Sequence, residues 1–316
     1  MVNNFDQIEK LLKFEKKDDC YYVQLLRRQS DDPMIDGKPD PAYHGNMHSR
    51  SLKDYLISSI EQFRDLRKEM ITLCDTFNVR AYIRLNKRNY KNISTKMLKQ
   101  IADQVDSGET YCSPYHLIAS AIGSTCQAGK AKTWILDLDA EYLPHKDIIY
   151  QIILQCEPVK TMWEEYVKNY ADMPEGGWVN GFIQQHFTEI QTKHGIHIIS
   201  RTFNKQAFAM AWNKYCVENH VTAPLPQVKV DTEKGVSHWS LTDKYLKHAS
   251  HFAYILQSCG VTATIDKVDK NKTIIHSGIC DQHALEDAWH AYCLENTFWM
   301  KQPDMHKDNP TILYVP

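Results

Sequence analysis

The chain has 316 residues, a formal net charge of −2 and a hydrophobic fraction of 43%, with 17 Tyr and 7 Trp. That length allows two or three compact units, and the near-zero charge excludes attraction of the whole molecule to nucleic acid, so any such binding has to come from a local patch. No run approaches the roughly 18 apolar residues of a membrane span, and the opening MVNNFDQIEKLLKFEKK is a mixed-charge amphipathic stretch unlike a secretory leader. The expectation is therefore a cytoplasmic protein with no membrane partner. Its 9 cysteines include no Cys-x-x-Cys pair, which argues against a zinc ribbon and for buried free thiols in a reducing compartment.

Residues 1–75 read as a helical N-terminal region. The clearest helix begins at Ser51, where Leu52, Leu56, Ile60, Phe63, Leu66 and Met70 recur at spacings of three and four. A Pro-, Asp- and Gly-rich loop precedes it. His44 and His48 stand four apart in that loop, a ligand spacing only on a helix, which this composition does not form.

Residues 76–133 read as a basic α/β module. Ala81–Leu85 has strand character, and no acidic residue occurs from Asn78 to Ala102. Arg80, Arg84, Lys87 and Arg88 interleave there with Tyr82 and Tyr90. Such a cluster is either a surface for nucleotide or nucleic-acid phosphates or a solvated face. A short helix is expected at Pro114–Ile122.

From Trp134 the pattern becomes strand (WILDLD), helix (PHKDIIYQIILQC), turn (MPEGGWVNG), hairpin (HFTEIQTKHGIHIISR), helix from Asn204, and strand (PQVKVD) ending at Asp231. This β-α-β-β-α-β order is that of a ferredoxin-like or RRM-like unit. It then repeats. AFAMAWNKYCVEN at 207–219 and ALEDAWHAYCLEN at 284–296 share 7 of 13 positions at an offset of 77. WILDLDAEYLPH is matched by WSLTDKYLKH from Trp239 with two residues deleted. The fold class expected is α+β: a helical and α/β N-terminal region followed by two tandem units, 134–231 and a degenerate 232–316. If the last strand of the first sheet comes instead from the C-terminal segment, residues 232–300 are an insertion.

Side chains alternate along a strand, so Asp137 and Asp139 share the face opposite Trp134, Leu136 and Leu138. Two carboxylates about 7 Å apart repel, and a divalent cation such as Mg²⁺ or Mn²⁺ relieves that repulsion. The alternative is an edge strand whose acids face water. In this strand order His197 falls on the central neighbour of the Asp strand. Val230-Asp231 would bring a third carboxylate, with Asp304 and Asp308 as rivals. The second copy lacks the Asp-x-Asp pair, so the fold itself does not require it.

These residues carry a resemblance. Ile135-Leu136-Asp137-Leu138-Asp139, then Gly195-Ile196-His197, then Val230-Asp231 resembles the motif order of the archaeo-eukaryotic primase (primase-polymerase) superfamily, over roughly residues 78–231. The resemblance implies an RRM-like catalytic unit behind an N-terminal α/β module. It implies Asp137, Asp139 and Asp231 as metal ligands, and His197 as a contact to the incoming nucleotide's phosphates. Arg80, Arg84, Lys87 and Arg88 would lie in the module that holds template or nucleotide. The activity implied is template-directed nucleotide addition, with nucleic acid and nucleoside triphosphates as partners and a second unit for nucleic acid or self-association. A non-catalytic nucleic-acid-binding or interaction protein on the same scaffold is the alternative.

Overall fold

A computed structural model describes residues 1–31, 49–108, 114–125, 132–170, 177–270 and 272–316. His44, His48, Cys112 and Cys126 lie outside the described residues. In chain order the elements are β1 (Val2–Asn3), α1 (Phe5–Glu9), β2 (Asp19–Arg28), β3 (Ser49–Ile57), α2 (Ile60–Phe77), β4 (Arg80–Asn89), α3 (Tyr90–Asp106), α4 (Pro114–Ser124), β5 (Thr133–Asp139), α5 (Lys146–Leu154), α6 (Val159–Asn169) and α7 (Gly177–His186). There follow β6 (Thr188–Gln191), β7 (Gly195–Arg201), α8 (Lys205–Glu218), β8 (Gln227–Asp231), β9 (Val236–Thr242), α9 (Ala249–Ser258), β10 (Ala263–Asp269), β11 (Lys272–Gly278), α10 (Gln282–Glu295), β12 (Asp304–His306) and β13 (Thr311–Val315). The chain divides into two units: Met1–Asn204 with Pro303–Pro316, and Lys205–Gln302.

Two antiparallel sheets form the first unit. One runs β1-β13-β4-β2-β3, the other β12-β5-β7-β6. Alternation on β2 sends Tyr21, Val23 and Leu25 into a core with Ile57 of β3, Ile83 of β4, and Phe5, Ile8, Phe63 and Met70 of α1 and α2. Ile135, Ile190 and Ile199 of the four-stranded sheet enter the same core. Each such side chain contributes roughly 1.5–3 kcal/mol when fully buried. Two buried asparagines fasten the sheets together. Asn86 Nδ2 donates to Thr133 O (3.0 Å) and Lys307 O (2.7 Å), and its Oδ1 accepts from Thr133 N (2.8 Å). Asn4 Nδ2 donates to Gln191 O (2.9 Å) and Ile312 O (3.1 Å).

The N-terminal region departs from the helical expectation. β2 and β3 are strands, and the helix expected from Ser51 starts only at Ile60. Tyr55 and Ile57 are buried while Leu52 is exposed, so burial here has period two. Ser59 then caps α2: its side chain accepts from Gln62 N at 3.1 Å, and Gln62 Oε1 accepts from Ser58 N at 2.7 Å. This reciprocal cap separates strand from helix inside one apolar run. A second departure is α7, which occupies Gly177–Gly181 where a turn was expected.

The second unit holds the sheet β10-β11-β9-β8, packed on α9 and α10 through Trp239, Leu241, Phe252, Leu256, Ile275 and Trp289. Here the expected boundary at 231/232 fails. The strand ending in Asp231 pairs with β9, not β5; the fourth place beside β5 goes to β12. Residues 227–231 and 304–308 are repeat counterparts at the 77-residue offset, and each joins the other copy's sheet. The crossing is visible at Thr222, which bridges to Trp299, its own counterpart. Ala223 N donates to Phe298 O (2.9 Å) and Met300 N to Val221 O (3.1 Å).

Register also corrects the strand comparison. β5 and β9 each span seven residues and each leads into a six-residue 3-10 turn, which aligns them without a gap. Trp239 thus stands in the place of Leu136, not Trp134. The first copy is longer because α6 and α7 have no counterpart between α9 and β10. Cys20, Cys74, Cys156, Cys216 and Cys293 are buried. Among the described residues no helix is long and apolar enough to cross a membrane.

Candidate active site

The register of the first four-stranded sheet sets the site. One row across it reads Asp304, Asp137, His197, Ile190; the next pairs Asp139 with Gly195. Cross-strand partners share a face, so Asp137, Asp139, His197 and Asp304 project to one side. His197 is buried and held at both ring nitrogens: Nδ1 lies 2.8 Å from Thr311 Oγ1, and Nε2 approaches Asp137 Oδ1 at 3.4 Å. Thr311 is itself fully buried on β13, so the five-stranded sheet fixes the imidazole that faces the acid pair.

Gly195 is required by the strand pairing itself. A Cβ there would stand 1.9 Å from Leu138 O and 2.9 Å from Asp139 Cα. The glycine therefore lets β5 and β7 meet at the Asp139 position; its freedom serves the strand pair and not a ligand. Thr192 closes the hairpin, its Oγ1 accepting from Gly195 N at 3.0 Å.

A cleft of about 380 Å³ opens in front of this row. Asp137, Asp139 and His197 line it together with Arg28, Arg80, Lys193, His194 and His306. Acidic and basic groups thus share one concavity, an arrangement suited to a cation and the phosphates that accompany it. Asp139 reaches solvent, yet the cleft wall crowds it. Burial, then the charges of Asp137 and Glu141, raise its pKa above the usual carboxylate value. That surplus of negative charge on hard oxygen donors fits a divalent cation such as Mg²⁺ or Mn²⁺. Among the described residues no three His, Cys, Asp or Glu side chains gather closely enough to hold an ion by themselves.

On the basic side, Arg80 Nε donates to Asp31 Oδ2 at 2.7 Å and Lys193 Nζ to Asp31 Oδ1 at 2.9 Å. Burial of Asp31 pushes its pKa upward, but the hydrogen bonds from Arg80 and Lys193 outweigh this and hold it below the usual range. Arg28 pairs with Ser49 through its backbone, and its side chain lines the cleft.

The structure sorts the basic cluster sharply. Of Arg80, Arg84, Lys87 and Arg88, only Arg80 reaches the cleft. Arg84 Nη1 donates to Asp308 O at 2.6 Å. Arg88 is fully buried, pairs with the Asp308 carboxylate and donates to Ile122 O at 3.0 Å. Lys87 pairs with Asp19 at 2.8 Å and Glu15 at 2.9 Å. These three guanidinium and ammonium groups hold the N-terminal module together. Asp308 is engaged by them, and Asp231 lies on β8 in the other sheet, hydrogen-bonded to Lys234 N at 3.1 Å. Of the three rivals for a third carboxylate, the sheet aligns Asp304 with the pair.

Arg28, Lys193, His306 and Thr311 join the site without any motif to announce them; only pairing and register bring them there. The second sheet offers an internal comparison. Its register puts Ser240, Thr242, Ile274 and Gln227 at the places of Asp137, Asp139, His197 and Asp304. All four chemical groups are absent from an otherwise corresponding sheet. Set against protein-family models, curated proteins and solved structures, the chain matches none.

Proposed function

We propose that the first unit is a primase-polymerase-like nucleotidyltransferase, acting on nucleoside triphosphates with nucleic acid as the second substrate. In this reading the two four-stranded sheets are RRM-like units, the first catalytic and the second degenerate. The observation that carries it is Asp137, Asp139 and His197 sharing one cleft with Arg28, Arg80 and Lys193, with Asp304 paired to Asp137 on the next strand.

Asp137 and Asp139 would hold the divalent cation, with Asp304 beside them. Magnesium sites commonly use one or two carboxylates and complete their shell with phosphates and water, so a pair without a third enclosing ligand suffices. Bound Mg²⁺ or Mn²⁺ supplies acidification of an attacking 3′-hydroxyl and neutralisation of triphosphate charge. The protein's own groups do the positioning. Arg28 offers a guanidinium to phosphate oxygens. His197, oriented by Thr311, presents Nε2 beside Asp137. Arg80 and Lys193, braced by Asp31, bring positive charge to the same cleft.

The test is incorporation of labelled nucleotide on a primed template with Mn²⁺ or Mg²⁺. Asp137→Asn and Asp139→Asn are each expected to reduce it at least about a hundredfold while the circular dichroism spectrum is unchanged. Undiminished incorporation by either variant removes the proposal. Binding of nucleic acid with no metal response in either the native chain or the variants would favour the non-catalytic reading.

A further inference from the structure

We infer that the second unit carries a separate binding site for an apolar molecule with a protonated amine head. Between α10 and β8 lies a cavity of about 520 Å³, within the usual range for small-molecule sites. Its lining is chiefly apolar: Leu225, Val228, Val230 and Ile279 stand around the indoles of Trp239 and Trp289. Val228, Val230 and Ile279 are 42%, 51% and 52% exposed, so water now covers apolar surface that an occupant would shield.

The polar groups converge along one rim. Gln282, Glu286 and His290 recur every four residues on α10 and share one face. Glu286 is the one formally charged side chain among the described lining residues. Gln282 Nε2 donates to Glu286 Oε1 at 2.8 Å, and His290 Nδ1 lies 2.8 Å from Thr222 Oγ1. The rim is thus a carboxylate steadied from one side and an imidazole oriented from the other. An ammonium complements that rim; a carboxylate would meet repulsion.

The repeat supplies the second observation. Shifted by 77 residues, the same corner of the fold contains another cavity, of about 320 Å³. There Ala209, Asn213 and Trp299 replace Glu286, His290 and Thr222. The buried tryptophan persists in both: Trp212 Nε1 donates to Met300 O at 3.3 Å, Trp289 Nε1 to Ala223 O at 2.9 Å. The architecture needs that indole, but it stands without the acid, the imidazole or the extra volume. Those belong to one copy only.

The experiment is calorimetric titration of the full chain with three matched probes: 4-phenylbutylamine, 4-phenylbutanol and 4-phenylbutyrate. The amine is expected to bind saturably, about tenfold tighter than the alcohol, with the carboxylate weakest. Glu286→Ala with His290→Asn installs the other copy's residues, so the thermal midpoint should hold while the amine falls to the alcohol's affinity. Val230→Trp fills the cavity from an exposed position and should abolish binding of all three probes. Asp137→Asn should leave amine binding unchanged, which separates this site from the proposed catalytic one. Absence of saturable amine binding, an amine no tighter than the alcohol, or undiminished binding by Val230→Trp would each overturn the inference.

Discussion

Arg88 on β4 and Arg28 on β2 belong to neighbouring strands of one sheet, yet they face opposite fates. Arg88 is fully buried against Asp308, while Arg28 stands on the cleft wall. Arg88→Met is expected to lower stability by about 3 kcal/mol, because it strands a partly buried carboxylate, and to leave the KM for nucleotide unchanged. Arg28→Ala should do the reverse: raise that KM about tenfold with stability within about 0.5 kcal/mol of the native chain. Urea unfolding and steady-state incorporation read the two effects. Asp139 of the cleft and Asp31, which holds the cleft's Arg80 and Lys193, carry opposite pH signatures. Asp31 has a depressed pKa, so its stabilisation is present above the unfolded value and is lost as pH falls through the folded one; Asp31→Asn should flatten the acid limb of the stability curve. Asp139 has a raised pKa, so the folded state binds the extra proton and stability falls as pH rises through that window. Asp139→Asn should therefore raise the thermal midpoint at neutral pH while removing activity, an opposition that a purely structural aspartate would not show. The Asp-x-Asp pair was legible because alternation on a strand is a local rule. The third acid was not, since Asp231 and Asp304 lie on the repeat-equivalent strands β8 and β12, and only long-range pairing decides which of the two joins β5.

Elements in this chain were readable where their signals were local and misread where two signals overlapped. The hairpin from Thr188 to Arg201, and helices α4, α5 and α8, follow their sequence patterns closely. The stretch Ser51–Cys74 carries helical spacing throughout, yet its first seven residues belong to β3, which pairs with β2; a strand partner overrode the helical pattern, and Ser59 marks the change. Ser59→Ala should cost about 1 kcal/mol, measured by chemical denaturation. Gly195 depends on pairing in the same way, since it stands where β5 comes too close for a side chain. Gly195→Ala should destabilise by about 1–3 kcal/mol, because the added carbon meets backbone of β5, and the damage should extend to nucleotide incorporation through displacement of Asp139.

At the scale of the whole molecule, the first unit owns both of its sheets and the core between them without residues 205–302. Replacing those residues by a flexible linker of about eight residues, which reaches roughly 26 Å when extended, should leave a chain that folds and still responds to Mn²⁺ and nucleoside triphosphate in a thermal-shift assay. Loss of cooperative unfolding in that variant would show that the repeats depend on each other. The exchange of β8 and β12 has a temporal consequence as well. During synthesis β9–β11 find their fourth strand, β8, already made. The sheet bearing Asp137 must wait for Asp304–His306, and the five-stranded sheet must wait for Thr311–Val315 between β1 and β4. The acidic cleft is therefore assembled late, after the ribosome has passed residue 311, so a nascent chain would carry the parts of the site long before it could close them into one.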